Sequence, residues 1–343
     1  MRPILLLGLF SAVGQSQWLN YPTPGIPRTS DGKPVLTAPV PRAPDGKPDL
    51  SGTWSTPSVR YYSNVAADLK TEDVKPWAEA LHGERVRNFS KDSMESQCLP
   101  LGPAAMTGPY RSFQFLQTPA LVAILFDDLT YRQIFLDGRQ LEKDPNPTWM
   151  GYSVGHWEGD SLVVESNGYT SRVWLDFDGH PHSEDLRITE RIRRIDVGHM
   201  EMRMTLDDPK NYARPWTVTI PMELLVDTSM LEAVCTENEK DRSHMEAKGP
   251  EIHEAPIAET TLARYVGVYD FVDDGRPHAA EITAADGSLY WNQDGAGRER
   301  LWPFSETSFS LSGTVVEFVP HAGPATQFLM QWAEGEIKGT RRK

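Results

Sequence analysis

Residues 144–194 read DPNPTWMGYSVGHWEGDSLVVESNGYTSRVWLDFDGHPHSEDLRITERIRR, and their periodicity decides the fold. In residues 186–192, Leu186, Ile188, Glu190 and Ile192 share one face of an extended chain, while Arg187, Thr189, Arg191 and Arg193 share the other. Successive side chains of a strand point to opposite sides, so this alternation marks a half-buried strand with Glu190 on the inward, aliphatic face. Residues 150–157 and 161–166 also read as strands, joined by Glu158-Gly159-Asp160, residue types that accept a hairpin turn.

The same pattern extends outward in both directions. Strands are predicted at residues 113–117, 121–126, 131–136, 200–206 and 216–225, with turn signals at Asp127-Asp128, Asp137-Gly138 and Val197-Gly198. Strands at this spacing without intervening helices predict a mainly β fold, an antiparallel barrel-like domain of lipocalin or calycin type over residues 49–245. Closure also removes exposed sheet edges. A charged, Pro-containing linker over residues 246–259 separates it from a second, smaller β domain over 260–343, which has turns at Ala285-Asp286-Gly287 and Ser312-Gly313. One helix of any length is expected, over residues 71–91: Thr71 can cap it, Glu72 and Asp73 suit its first turn, and Val74, Trp77, Ala78, Leu81, Arg85 and Phe89 lie near one face.

Upstream, residues 15–48 are rich in Pro and Gly and repeat DGKP at 31–34 and 45–48, which reads as an extended strap. Before it come Arg2, an apolar run over residues 4–13 and small residues. That run is too short to span a bilayer but fits a secretory signal peptide over residues 1–14; a buried N-terminal strand is the alternative, and the Pro-rich segment gives it no hairpin partner. The expected location is therefore secreted or periplasmic, with no membrane attachment after cleavage. In that compartment Cys98 and Cys235 are most simply one disulfide, two buried free thiols being the alternative. Neither cysteine has the neighbouring His or CxxC partner that thiol catalysis needs. A formal charge of −14 repels phosphate backbones and excludes nucleic acid as a partner.

Two resemblances rest on longer motifs. PDGKPDLSGTW, CLPLGP, YRQIFLDGR, DPNPTWMGYSVGHWEGD, GHPHSEDLRITER and DDPKNYARPWTVTI, within residues 44–245, resemble a family of exported bacterial proteins. That resemblance implies export, a β-rich body and a kept Cys pair, and carries no activity with it. LARYVGVYDF, ITAADGSLYW and LWPFSETSFSL, within residues 262–311, resemble the small β domain appended to many β-lactamase-like serine hydrolases. The hydrolase domain itself is not evident, since no SxxK with its partner motifs occurs.

The chemistry-bearing residues cluster in the same stretch. An inward Glu190 must either be paired, with Arg132 a candidate, or carry a raised pKa suited to function. His156 closes one strand, and His180 and His182 flank Pro181 in the turn that leads into the next. If that turn folds over the barrel mouth, His156, His182 and Glu190 meet there as a general acid–base set. The same donors can take a divalent metal, but the HPH spacing is not a zinc signature, and no cofactor is expected. Trp149, Tyr152, Trp174, Asp178 and His180 are the candidate ligand-binding residues, with core packing the alternative for the tryptophans and a simple turn for Asp178-Gly179. There is no GxSxG, Walker A or GxGxxG fingerprint. Two readings follow: an exported hydrolase or lyase acting on a small molecule, or a non-catalytic small-molecule-binding protein with a lipocalin-like barrel.

Overall fold

In the computed structural model, which describes residues 21–342 apart from 58–60, 62, 89, 108–110, 236–256, 274, 296, 312–313, 322 and 333–334, Arg187–Arg194 forms a strand whose side chains alternate exposed and buried along its whole length. It is one of nine strands that close into a barrel: β1 (Gly52–Ser55), β2 (Ser112–Gln117), β3 (Leu121–Phe126), β4 (Tyr131–Phe135), β5 (Tyr152–Glu158), β6 (Ser161–Asn167), β7 (Arg187–Arg194), β8 (His199–Asp207) and β9 (Trp216–Leu224). The ring closes where Trp54 and Ser55 of β1 pair with Leu224 and Glu223 of β9. Neighbouring strands are antiparallel with one exception. β4 and β5 run parallel and share only Ile134↔Ser153 and Phe135↔Val154. A parallel pair needs a crossover rather than a hairpin, and residues 136–151 supply it; the ring is otherwise the antiparallel barrel expected.

Large side chains fill the barrel, among them Trp54, Phe113, Phe115, Ile124, Met202 and Ile220. The space left beside Glu190 is about 10 Å³, room for about one water molecule. The barrel is closed as predicted, but its interior is a packed core rather than a calyx.

A one-turn helix, α2 (Glu259–Leu262), precedes a second closed barrel of eight antiparallel strands: β10 (Gly267–Asp273), β11 (Arg276–Ala285), β12 (Ser288–Gln293), β13 (Glu299–Pro303), β14 (Ser308–Leu311), β15 (Thr314–Val319), β16 (Gln327–Trp332) and β17 (Gly335–Arg341). Its core is aromatic: Tyr265, Tyr269, Phe309, Phe318 and Phe328 meet at ring-centroid separations of 4.6 to 5.9 Å.

The predicted helix is shorter than expected. Thr71–Asp73 forms a 3-10 turn, and α1 (Pro76–Arg87) begins at a proline, which suits a first helical turn because its missing N–H has no intrahelical acceptor to lose. The face it buries is Ala78, His82, Gly83 and Val86, whereas Trp77 is 49% exposed and donates its indole N–H to the Lys210 carbonyl. The strap is ordered over its described part. Its two DGKP repeats form equivalent turns, bridged at Arg28↔Pro34 and Arg42↔Pro48. Arg28 pairs with Asp227 and Arg42 with Asp160, and the backbone N–H groups of Val197 and Gly198 donate to Ala38 and Leu36.

Cys98 and Cys235 are joined in a disulfide, which closes the question of free thiols. No helix among the described residues is long and apolar enough to cross a membrane. The predicted signal peptide and all of the predicted linker except residues 257–259 lie outside the described residues. Because the bridge spans a sequence separation of 137, chain-entropy reasoning gives it about 5 kcal/mol as an upper value, with about 2–4 kcal/mol typical of such bonds. Denaturant unfolding of Cys98→Ser/Cys235→Ser beside the wild type is expected to show a loss in that range; equal midpoints would show that the bridge adds no stability.

Candidate functional site

Glu190 projects into the barrel and is 3% exposed. Arg132, from β4, meets it with both ends of the guanidinium: Nη1 donates to Oε1 at 2.9 Å and Nη2 to Oε2. Nε donates to the Ser153 hydroxyl at 3.0 Å, Nη2 to the Ser166 hydroxyl at 2.8 Å, and Nη1 lies 3.9 Å from the Met106 sulfur. All five N–H donors of the guanidinium thus have an acceptor. Burial alone pushes the Arg132 pKa down; the Glu190 carboxylate outweighs it and holds it above the ordinary arginine value. Of the two fates open to an inward Glu190, the structure shows the ion pair.

The expected catalytic set is not assembled. His156 pairs in register with Val163, and Val163 with Arg191, so it stands on the outer surface, whereas Val164 and Glu190 face inward. There His156 contacts Glu158 at 3.1 Å, and Arg191 also donates to Glu158. His182 is 3% exposed, and its Nδ1 lies 2.8 Å from the Ser183 carbonyl. That geometry requires Nδ1 to carry the proton, and Nε2 has no hydrogen-bond partner among the described residues. Burial holds the His182 pKa below the usual imidazole value. Neither histidine bonds to Glu190.

A second polar cluster lies beneath α1 in the loop that follows β6, and the sequence reading captured only part of it. Asp176, fully buried, accepts from the backbone N–H groups of Val65, Gly179 and His180 and from His180 Nδ1 at 2.8 Å. Burial pushes the His180 pKa down, but Asp176 and Asp178 reverse that and raise it to about 9. His82, from α1, stacks on the His180 ring at 3.9 Å, and its Nε2 lies 3.1 Å from Asp178 Oδ2. Asn64 Nδ2 donates to the same oxygen at 2.9 Å. Arg85 donates to the Gly179 carbonyl at 2.9 Å and lies 4.7 Å over the Trp174 ring; burial lowers its pKa to about 10. Trp174, Asp178 and His180 are therefore parts of this buried cluster rather than walls of an open pocket. His82 was missed because a helical His was not counted with the apolar positions, yet its i, i+4 spacing from Ala78 and to Val86 marks the buried face.

Trp149 and Tyr152 do line open space. The short β4–β5 pairing leaves residues 131–133 without a partner strand on that side, and the crossover stands away from them. Between lies a cleft of about 710 Å³, walled by Leu129, Tyr131, Phe135, Trp149 and Tyr152, with Arg132 and Ser153 also bordering it. Tyr131 and Leu129 are each 60% exposed. Arg139 lies 3.7 Å over the Phe135 ring and is bound to Asp137, and Arg132 is already matched by Glu190. Of the charged residues lining the cleft, Arg132 and Arg139 are matched by carboxylates, and Glu142 adds a carboxylate of its own.

Glu190→Gln leaves a desolvated guanidinium without its counter-ion and is expected to destabilise the fold by about 3–5 kcal/mol, with Arg132→Met/Glu190→Leu losing less than the single variant. A denaturant double-mutant cycle measures both, and additive losses would refute the coupling. The histidines set the pH range. His180, raised from 6.5 to about 9, adds stability that is full below pH 6.5 and lost as pH rises through 9. His182, lowered from 6.5, adds stability that is present above that pH and lost as pH falls below it. The two contributions meet near pH 6.5, so the thermal midpoint should peak there, with His180→Gln flattening the alkaline fall and His182→Gln part of the acid one.

No family model matches this sequence, and no curated protein matches it. Among solved structures, the crystal structure of SurE with D-Leu is similar at 14% identity and a TM-score of 0.22, over 58% of this chain and 40% of that one. The match spans less than half of that protein's length, and at that score it carries no argument.

Proposed function

We propose that this chain is an exported, non-catalytic small-molecule-binding protein whose ligand occupies the cleft beside β4 and β5. The observation that carries this reading is the cleft itself: about 710 Å³ with exposed aromatic walls, a volume in the range of drug-sized ligand sites. Binding asks only for shape and apolar surface, whereas acid–base catalysis asks for titrating groups within hydrogen-bond reach of one point. His156 is on the outer surface, His182 is buried in the loop and Glu190 is locked to Arg132, so the hydrolase or lyase reading lacks its set. The aromatic walls favour an apolar or ring-bearing ligand, glycosides included, and the Glu142 carboxylate disfavours an anionic one. Export is supported by the apolar run at the N-terminus and by the Cys98–Cys235 disulfide, a bond that persists in oxidising compartments.

Thermal-shift screening of ring-bearing small molecules, followed by calorimetry, tests the reading. Hits are expected to bind Trp149→Ala and Tyr131→Ala at least about tenfold more weakly, in line with the loss of an aromatic anchor. Retention of full affinity in both variants, or turnover of a bound compound, would sink it.

A further inference from the structure

The cluster under α1 is chemically unlike the cleft and shares none of its residues, and its donor set points to a cation. One ring nitrogen of His82, one of His180 and one carboxylate oxygen of Asp178 lie within 4.8 Å of one another. The three residues are 8%, 6% and 9% exposed. They come from separate parts of the chain, since α1 supplies one and the loop before β7 the other two. Buried imidazole nitrogens beside a carboxylate are the donors chosen by zinc and its first-row neighbours, whereas Ca²⁺ and Mg²⁺ ask for oxygens alone.

Ligating histidines and carboxylates are held by outer hydrogen bonds that fix ring orientation and donor direction. Asp176 holds His180 through Nδ1, and Asn64 holds Asp178 through Oδ2. Asp176 is itself fixed by three backbone N–H groups, so the carboxylate behind His180 cannot swing away. On the remaining side Trp302 of the second barrel sets its ring edge-on to His82 at 6.4 Å, and Arg300 approaches Glu79 of α1 at 3.9 Å. His180 and Asp178 are thus held by outer hydrogen bonds, and the second barrel closes the side beside His82.

We infer that His82, Asp178 and His180 form a binding site for one divalent transition-metal ion of the zinc type, which cross-braces α1 to the loop over residues 176–182. Ligation asks one change of the arrangement described above. The two rings lie stacked with an interplanar angle of 22°, and in-plane lone pairs of stacked rings do not converge, so the His82 ring turns out of the stack to meet the ion. Three protein donors leave a further position for water.

The full-length protein, stripped with a chelator and dialysed, is titrated with Zn²⁺ and, separately, with Mg²⁺ and Ca²⁺. Zinc is expected to bind at one ion per chain and to raise the thermal midpoint, while Mg²⁺ and Ca²⁺ do neither. His82→Gln and Asp178→Asn should abolish the effect, Asn64→Ala should weaken binding about 10–100-fold, and His321→Gln, which alters an exposed histidine paired with Glu317, should leave it unchanged. No zinc uptake by the wild type, or unaltered uptake by both ligand variants, overturns the inference. Should both variants fail to fold by circular dichroism, X-ray absorption of the zinc-loaded wild type decides: two imidazole nitrogens with one carboxylate oxygen and a water oxygen at about 2.0–2.2 Å support the site, and a shell without two imidazoles refutes it.

Discussion

The first barrel is built around a salt link in its own core. Arg132 and Glu190 sit where a β protein of this size would otherwise place aliphatics, and removing both charges from water carries a penalty that only close geometry and full hydrogen bonding can offset. That requirement reaches outward along the strands. Ser153 and Ser166 face inward on β5 and β6 because the guanidinium needs their hydroxyls. Gly155, the next inward position on β5, stays bare because a Cβ there would lie 3.0 Å from both Ile134 and Leu136. The interior of β5 is therefore small and polar until Trp157, which pairs with inward Leu162 near the strand's end, while Tyr152 and His156 are left to the outer surface.

That inversion explains what could be read in advance and what could not. The alternation in residues 186–194 placed Glu190 correctly, because Leu186, Ile188 and Ile192 leave no doubt about which face is wet. In β5 the alternation was visible but its sign was not: Tyr152, Val154 and His156 do share a face, and it is the outer one. Without the identity of the inward partner, a strand with apolar residues on both sides cannot be oriented. The parallel pairing of β4 with β5 was hidden for a related reason, since strand direction depends on where a crossover leads rather than on the residues in it. The aromatic walls Trp149 and Tyr152 were legible as candidates, but the cleft that gives them a role arises from that pairing.

The loop over residues 176–182 shows a different limit. DFDGHPH looks like a turn with histidines to spare, and it does turn, centred on Phe177-Asp178 with the Gly179 N–H donating back to the Asp176 carbonyl. Its depth was not legible, because burial here is imposed by α1 and by backbone donors from residues 65, 179 and 180 rather than by its own hydrophobicity. Long-range partners settle such loops, and a single sequence does not contain the pairing of Asp178 with Asn64 or of His82 with His180 in any local form.

The bridge between Cys98 and Cys235 has a mechanical consequence. Strands β2 to β9 all lie between the two cysteines, while β1 lies before the first and the second barrel after the last. A tensile load applied at the chain ends passes through the sulfur–sulfur bond and bypasses those eight strands, so their intervening length cannot be drawn out. What the load can reach is β1, the stave that closes the ring. Pulling would peel that stave away and leave a slit, covalently belted sheet behind it, so the extension gained on opening this barrel is limited by oxidation state rather than by the strength of its hydrogen bonds.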